Sequence, residues 1–174
     1  MKVAVKDIQP EGLAVSFSDH AARAGDLGPQ VESVARAPRA QLRLEREGEL
    51  VIAKGVYSAE LVLTCSRCLG PHAVSRQGVL DWVFRPLPGD APEELHLAGE
   101  EMELSFYRDG LIDLAQALRD ELGLALPMAP LCREDCLGLC PVCGRPIKPG
   151  EACCRQDKMD PRWAKLAQLK DKKP

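Results

Sequence analysis

Eight cysteines fall in close pairs along the 174-residue chain, at Cys65/Cys68, Cys132/Cys136, Cys140/Cys143 and Cys153/Cys154. This arrangement limits the fold more tightly than any other feature. A zinc ion takes four tetrahedral ligands, about 2.3 Å away when they are thiolates, and a Cys-x-x-Cys turn supplies two at once. Eight thiolates close two such sites, so two structural zinc ions are expected. Hydrophobic residues make up 45% of the chain but aromatics only 4%. The core is therefore modest, and metal sites would supplement it.

Zinc ligation competes with disulfide formation, and the compartment decides between them. Met1 to Asp7 mixes charge with alternating valines and lacks the apolar run and cleavage site of a secretory signal. The uncharged stretch Leu122 to Cys132 is broken by Pro127 and Pro130, and it falls far short of the roughly 20 residues a bilayer span requires. A cytoplasmic protein with no membrane contact is expected, and in a reducing cytosol thiolates hold metal rather than form disulfides.

Cys140-Pro141-Val142-Cys143-Gly144 has the form of a zinc knuckle: proline stiffens the turn and glycine lets the backbone fold back so that amides face the sulfurs. Cys153 and Cys154 follow across a short loop, so local closure assigns Cys140, Cys143, Cys153 and Cys154 to one ion at little entropic cost. Adjacent cysteines seldom both reach one metal, so a spare thiol at Cys153 or Cys154 is the alternative to this four-cysteine site. Cys132 and Cys136 then join Cys65 and Cys68, clipping the tip of a strand to the segment after a helix. A second pairing stays open, in which the two Cys-x-x-Cys knuckles share one ion and Cys132 and Cys136 go with Cys153 and Cys154.

All the natural ligands are thiolates, which points to structural rather than catalytic zinc. Neither knuckle is followed by a comfortable helix start, so thioredoxin-like chemistry is disfavoured. No Walker A loop, dinucleotide glycine pattern, nucleophile elbow or His-Glu-x-x-His helix occurs. A non-enzymatic protein with no small-molecule substrate is expected. His72 is a surface histidine on a turn in preference to a ligand. Arg67, between two thiolates, either offsets the charge of the metal site or meets a partner's phosphate.

The pattern predicts an α+β protein, with an antiparallel sheet from the first half, a packing helix, and a zinc-stapled C-terminal segment ending in a short helix. Residues 1–88 form the strand-rich part with the Cys-x-Arg-Cys knuckle, 89–102 an acidic Pro/Gly loop, and 103–174 the helix, the cysteine-rich segment and a basic C-terminal helix, in one interlocked domain. Leu42, Leu44, Leu50, Ile52, Leu61 and Leu63 alternate with charged neighbours, which predicts strands joined at Glu47-Gly48-Glu49 and by a turn near Gly55. Ala73 to Phe84 is a further strand, followed by a loop from Arg85 to Glu101. Val3–Ile8 and Leu13–Phe17 predict a hairpin around Pro10-Glu11-Gly12. Asp19 to Pro38 fits a short helix or an ordered loop equally. Asp113 and Gln116 are spaced as a capping box, opening a helix from Asp113 to Leu124 with Leu114, Leu118, Leu122 and Ala125 on its apolar face. Asp160-Pro161 opens the last helix, docked by Trp163.

The formal net charge is -3, which excludes a uniformly basic nucleic-acid binder. Between Asp90 and Glu121 ten carboxylates face two arginines, a solvated acidic surface or a patch for a basic protein. Arg155 to Pro174 holds seven Lys or Arg against three Asp. Lys170, Lys172 and Lys173 are candidate phosphate contacts there. Direct RNA binding by zinc-organised residues is one alternative function, and a redox-responsive regulator that releases zinc on oxidation is another.

Cys65-Ser66-Arg67-Cys68-Leu69, Ile112-Asp113-Leu114 leading to Leu124-Ala125-Leu126-Pro127, then Cys132, Cys136-Leu137-Gly138-Leu139-Cys140-Pro141-Val142-Cys143-Gly144 and Asp160-Pro161-Arg162-Trp163-Ala164 follow in that order. In these motifs the chain resembles the bacterial YceD family, over Leu61 to Leu169. The resemblance implies a cytosolic protein needed for normal accumulation of large-subunit ribosomal RNA, a ribosome-biogenesis factor whose partner is a ribosomal protein or pre-ribosomal particle. The adjacency of Cys153 and Cys154, and Arg145 to Lys148 in place of an Asn-rich stretch, depart from the family pattern.

Overall fold

The computed structural model describes residues 1–87, 104–148, Gly150 and Cys154. The acidic loop expected at 89–102, the helix expected from Asp160, Cys153, and Lys170, Lys172 and Lys173 lie outside the described residues. In chain order the elements are β1 (Lys2–Ala4), a 3-10 turn (Val5–Asp7), β2 (Leu13–Ser18), α1 (Ala24–Leu27), β3 (Val31–Glu47), β4 (Leu50–Thr64), β5 (Pro71–Pro86), β6 (Leu104–Tyr107), β7 (Leu111–Asp113) and α2 (Leu114–Ala125).

The α+β class holds, with a mixed sheet. Five strands pair in the order β2-β3-β4-β5-β6. All neighbours are antiparallel except β6, which runs parallel to β5 from Val83↔Leu104 to Pro86↔Tyr107. The alternation in the sequence makes the sheet two-faced, but Leu50 and Ile52, expected on the inner face, are only half-buried, and Val51 and Ala53 take that face instead. Ala40, Leu42 and Leu44 of β3 and Val51, Ala53, Ala59, Leu61 and Leu63 of β4 are buried, while Arg43, Glu45, Lys54 and Glu60 between them stay exposed. The strand expected at Ala73–Phe84 is found as β5, two residues longer at each end, so Arg85 and Pro86 belong to the sheet and not to a loop.

Other expectations fail for identifiable reasons. Gly55 lies within β4, opposite Leu42 on one side and Leu80 on the other, and not at a turn. A Cβ there would run into the backbone carbonyl of Gln41, so the glycine marks a close approach of two strands. The N-terminal hairpin does not form. The edge of β2 is taken by β3, from Leu13↔Leu44 to Ser18↔Arg39, and β1 crosses to β7, pairing Lys2↔Asp113 to Ala4↔Leu111. Within Asp19–Pro38 a short helix is found as α1, but residues 31–38 belong to β3, with register shifts between Val31 and Arg39 around Pro38.

Helix α2 forms where the sequence places it. The Asp113 carboxylate accepts the Gln116 amide at 3.1 Å, and the Gln116 side chain turns instead to Asp120 at 2.9 Å, so only half of the capping box is made. Leu114, Leu118 and Leu122 are fully buried in the same apolar cluster as the sheet's inner face. Burial of each leucine contributes roughly 1.5–3 kcal/mol. Ala125, expected on that face, is exposed, and Leu126 is buried in its place.

A buried ion pair fixes this helix to the end of β2. Arg119 donates to both carboxylate oxygens of Asp19, at 2.7 and 3.1 Å, and the Asp19 side chain is only 5% exposed. Burial alone would raise the Asp19 carboxyl, but the hydrogen bonds and charge of Arg119 win and hold it below the usual carboxylate value, while Arg119 is raised.

Candidate metal centre

The first knuckle is the turn of a hairpin. β4 ends and β5 begins at the pair Thr64↔Pro71, and between them the Cys65 amide donates to the Gly70 carbonyl at 2.9 Å while the Leu69 amide donates back to the Cys65 carbonyl at 2.9 Å. The second knuckle repeats this pattern position for position. The Cys140 amide donates to the Arg145 carbonyl and the Gly144 amide to the Cys140 carbonyl, both at 2.8 Å. The residue after the second cysteine is left-handed in both, at φ 57° for Leu69 and 69° for Gly144.

The first knuckle meets the segment that follows α2. The sulfurs of Cys65, Cys68, Cys132 and Cys136 all lie within 4.8 Å of one another, with 3.8 Å from Cys65 to Cys136 and 3.7 Å from Cys68 to Cys132. A zinc tetrahedron with sulfur at about 2.3 Å has an edge of about 3.8 Å, so these sulfurs fit such an ion. The two residues between the thiols of the knuckle hold the incoming segment. The Ser66 amide and hydroxyl both donate to the Pro130 carbonyl, at 2.8 and 3.0 Å. Arg67 Nη1 donates to the carbonyls of Glu134 and Cys136, at 3.2 and 2.9 Å. Sequence reasoning missed both roles, since the carbonyls they meet lie more than sixty residues away.

Cys65 and Cys132 of this cluster are shifted in opposite directions. Backbone amides, those of Cys68 and then Cys132 foremost, bring the Cys65 thiol down to about 5. Desolvation first, and then hydrogen bonds with Cys136, Cys68 and Cys65, push Cys132 up to about 12. The thiolate is thus favoured at Cys65, chiefly by backbone amides, and disfavoured at Cys132 unless a cation offsets its charge.

Cys140, Cys143 and Cys154 form a second cluster, their sulfurs again within 4.8 Å of one another. Cys140 is buried and Cys143 exposed. Among the described residues this site has three thiols, and Cys153 lies outside them. Hydrogen bonding with Cys143 and then Cys140 raises the Cys154 thiol. The clusters are joined by Leu137-Gly138-Leu139. Gly138 is left-handed at φ 79°, and a Cβ there would come 3.2 Å from the Arg67 carbonyl oxygen, so the spacer rests directly on the first knuckle. His72 is half-buried in β5 opposite Leu63, not on a surface turn, and belongs to neither cluster.

Residues 53–170 match the model of a family described as large ribosomal RNA subunit accumulation protein YceD. The chain belongs to the YceD family. The YceD match takes in all eight cysteines, α2 and most of β4, and leaves β1 to β3 outside it. Uncharacterized proteins of Mycobacterium tuberculosis and Mycobacterium bovis are 42% identical over 130 residues, covering 74% of this chain and 59% of their own length. One from Mycobacterium leprae is 38% identical, over 74% of this chain and 57% of its own. The chain thus spans less than two thirds of the length of these relatives. No solved structure matches it. No helix among the described residues is long and apolar enough to cross a membrane.

Proposed function

We propose that this chain is a non-enzymatic factor supporting accumulation of large-subunit ribosomal RNA, and that it acts by binding a ribosomal protein or pre-ribosomal particle through a surface organised by two zinc ions. Membership of the YceD family supplies the process. The observation that carries the mechanism is the set of four sulfurs at tetrahedral spacing between the β4–β5 turn and the segment after α2. Zinc bound there supplies the positive charge that keeps all four thiolates ionised. The chain itself does the positioning: Ser66 and Arg67 hold Pro130, Glu134 and Cys136 so that the helix, its exit segment and the sheet form one rigid surface. Four thiolates leave no open position for a substrate, which favours binding over catalysis.

The test is elemental mass spectrometry of protein purified without chelator, together with the large- to small-subunit ribosomal RNA ratio in cells that carry the gene, lack it, or carry Cys65→Ser. Two zinc ions per chain, one in Cys65→Ser and one in Cys140→Ser, are expected. The large-subunit RNA should fall on deletion and be restored by the parent protein but not by Cys65→Ser. A metal-free parent protein, or full restoration by Cys65→Ser, would sink the zinc-organised surface.

A further inference from the structure

Beside α2 the sheet leaves an open groove of about 410 Å³ that neither metal cluster uses. Part of its lining is apolar. Trp82 and Phe84 stand edge to face with ring centroids 6.1 Å apart, and Phe106 of β6 and Leu124 of α2 close the sides. Leu124 is 85% exposed at the position where a helix would ordinarily present a polar residue to water.

The rim is acidic. Asp113 at the cap of α2, Asp120 and Glu121 within it and Asp81 of β5 line the groove, and among the described residues lining it none is basic. Glu121 is held in place by the Trp82 indole, which donates to its Oε2 at 3.2 Å. Lys2 and Lys54 reach Asp113 and Asp81 from outside, at 3.8 and 3.3 Å, and leave the negative charge of Asp120 and Glu121 unbalanced by any ion pair within the described residues.

We infer that this groove is the docking site for an extended cationic polypeptide segment, one that places Lys or Arg on the carboxylate rim and an apolar side chain between Trp82, Phe106 and Leu124. This rests on the reading that the chain works by binding a protein partner, and deepens it. Size places the groove in the roughly 300–1,000 Å³ range of clefts that hold ligands. Charge chooses the occupant. Carboxylates repel nucleic-acid phosphates, whereas a guanidinium or ammonium gains from them and from the Trp82 ring face. An exposed leucine at the mouth contributes only when an apolar side chain covers it.

The experiment uses the full-length zinc-loaded chain and a short fluorescent peptide alternating Arg and Leu, followed by anisotropy. A Glu/Leu peptide of equal length and a single-stranded RNA oligomer serve as comparisons. The Arg/Leu peptide is expected to bind, and the Glu/Leu peptide and the RNA not to displace it. Affinity should fall at least tenfold in Asp120→Asn/Glu121→Gln and again in Leu124→Ala. Both are solvent-facing or isosteric changes that should leave circular dichroism and zinc content unaltered. Absence of binding at low salt, equal affinity of the variants, or displacement by RNA would overturn the inference. So would a tenfold gain in affinity on changing Lys170, Lys172 and Lys173 to Gln, since the groove would then belong to the chain's own tail. If the peptide binds as expected but the groove variants sustain normal ribosomal RNA levels in cells, the docking site stands and the proposed function is what fails.

Discussion

The two knuckles share one backbone design and differ in what they close. In each, the amide of the first cysteine bonds five residues ahead and its carbonyl accepts from four residues ahead. The first draws in ligands across a sequence gap of 64 residues, from Cys68 to Cys132. The second gathers Cys140, Cys143 and Cys154 from one short stretch. Loop-closure entropy grows as the logarithm of loop length. Between a 64-residue gap and one of eleven, from Cys143 to Cys154, the difference is about 1.5 kcal/mol of unfolded-state freedom that only the first site removes. The same local geometry thus serves as a long-range fastener in one place and as a local brace in the other.

Cys65→Ser and Cys140→Ser set that difference against each other most directly. Cys65→Ser should lower stability by about 4 kcal/mol or more, because a buried ligand and the tie between sheet and tail go together. Cys140→Ser should cost about half as much. Urea titration measures both, and equal losses would erase the distinction between fastener and brace.

Asp19→Asn asks whether the first site depends on the helix that leads into it. Breaking the buried pair strands the Arg119 guanidinium and should cost about 3 kcal/mol at neutral pH, with the metal content of both sites unchanged. The folded pKa of Asp19 is depressed, so its contribution is present above the unfolded value near 3.9 and is lost as pH falls through the lower folded value. The gap between parent and variant should therefore close below about pH 4. A gap that persists in acid would show that packing, not the ion pair, is what the substitution removes.

Leu69→Gly makes the first knuckle match the second at its left-handed position. A left-handed leucine costs about 1–2 kcal/mol, and glycine's extra unfolded-state freedom takes back about 0.4–1 of it. A net gain of about 0.5 kcal/mol is expected. A loss would mean that Leu69, 62% exposed, makes packing contacts beyond its backbone.

The sequence revealed what depends on local chemistry. Alternation over Leu42, Leu44, Leu61 and Leu63 told which face is buried there, while at the start of β4 it named Leu50 and Ile52 where Val51 and Ala53 are buried, and Asp113 told where α2 begins. Cysteine spacing told which residues are ligand candidates. What it hid depends on who the neighbour is. An alternating strand specifies its face but not its partner, so β1 was expected beside β2 and is found on β7. Glycine marks turns and close approaches with the same letter, which misplaced a turn at Gly55. The choice between two cysteine pairings rested on where the β4–β5 turn lands relative to the exit of α2. The Asp19–Arg119 pair joins residues a hundred positions apart, and no local pattern announces it.

That the first knuckle doubles as a hairpin turn bears on how the chain avoids folding errors. β4 and β5 pair over fourteen consecutive positions, long enough for a slipped alignment to satisfy most of its ladder bonds. A slip of one residue turns every side chain to the opposite face and would carry Cys65 and Cys68 away from Cys132 and Cys136. Only the native alignment brings the four sulfurs together, so ligation at this turn acts as a proofreading step: a misaligned hairpin forfeits the site and remains free to unzip and pair again.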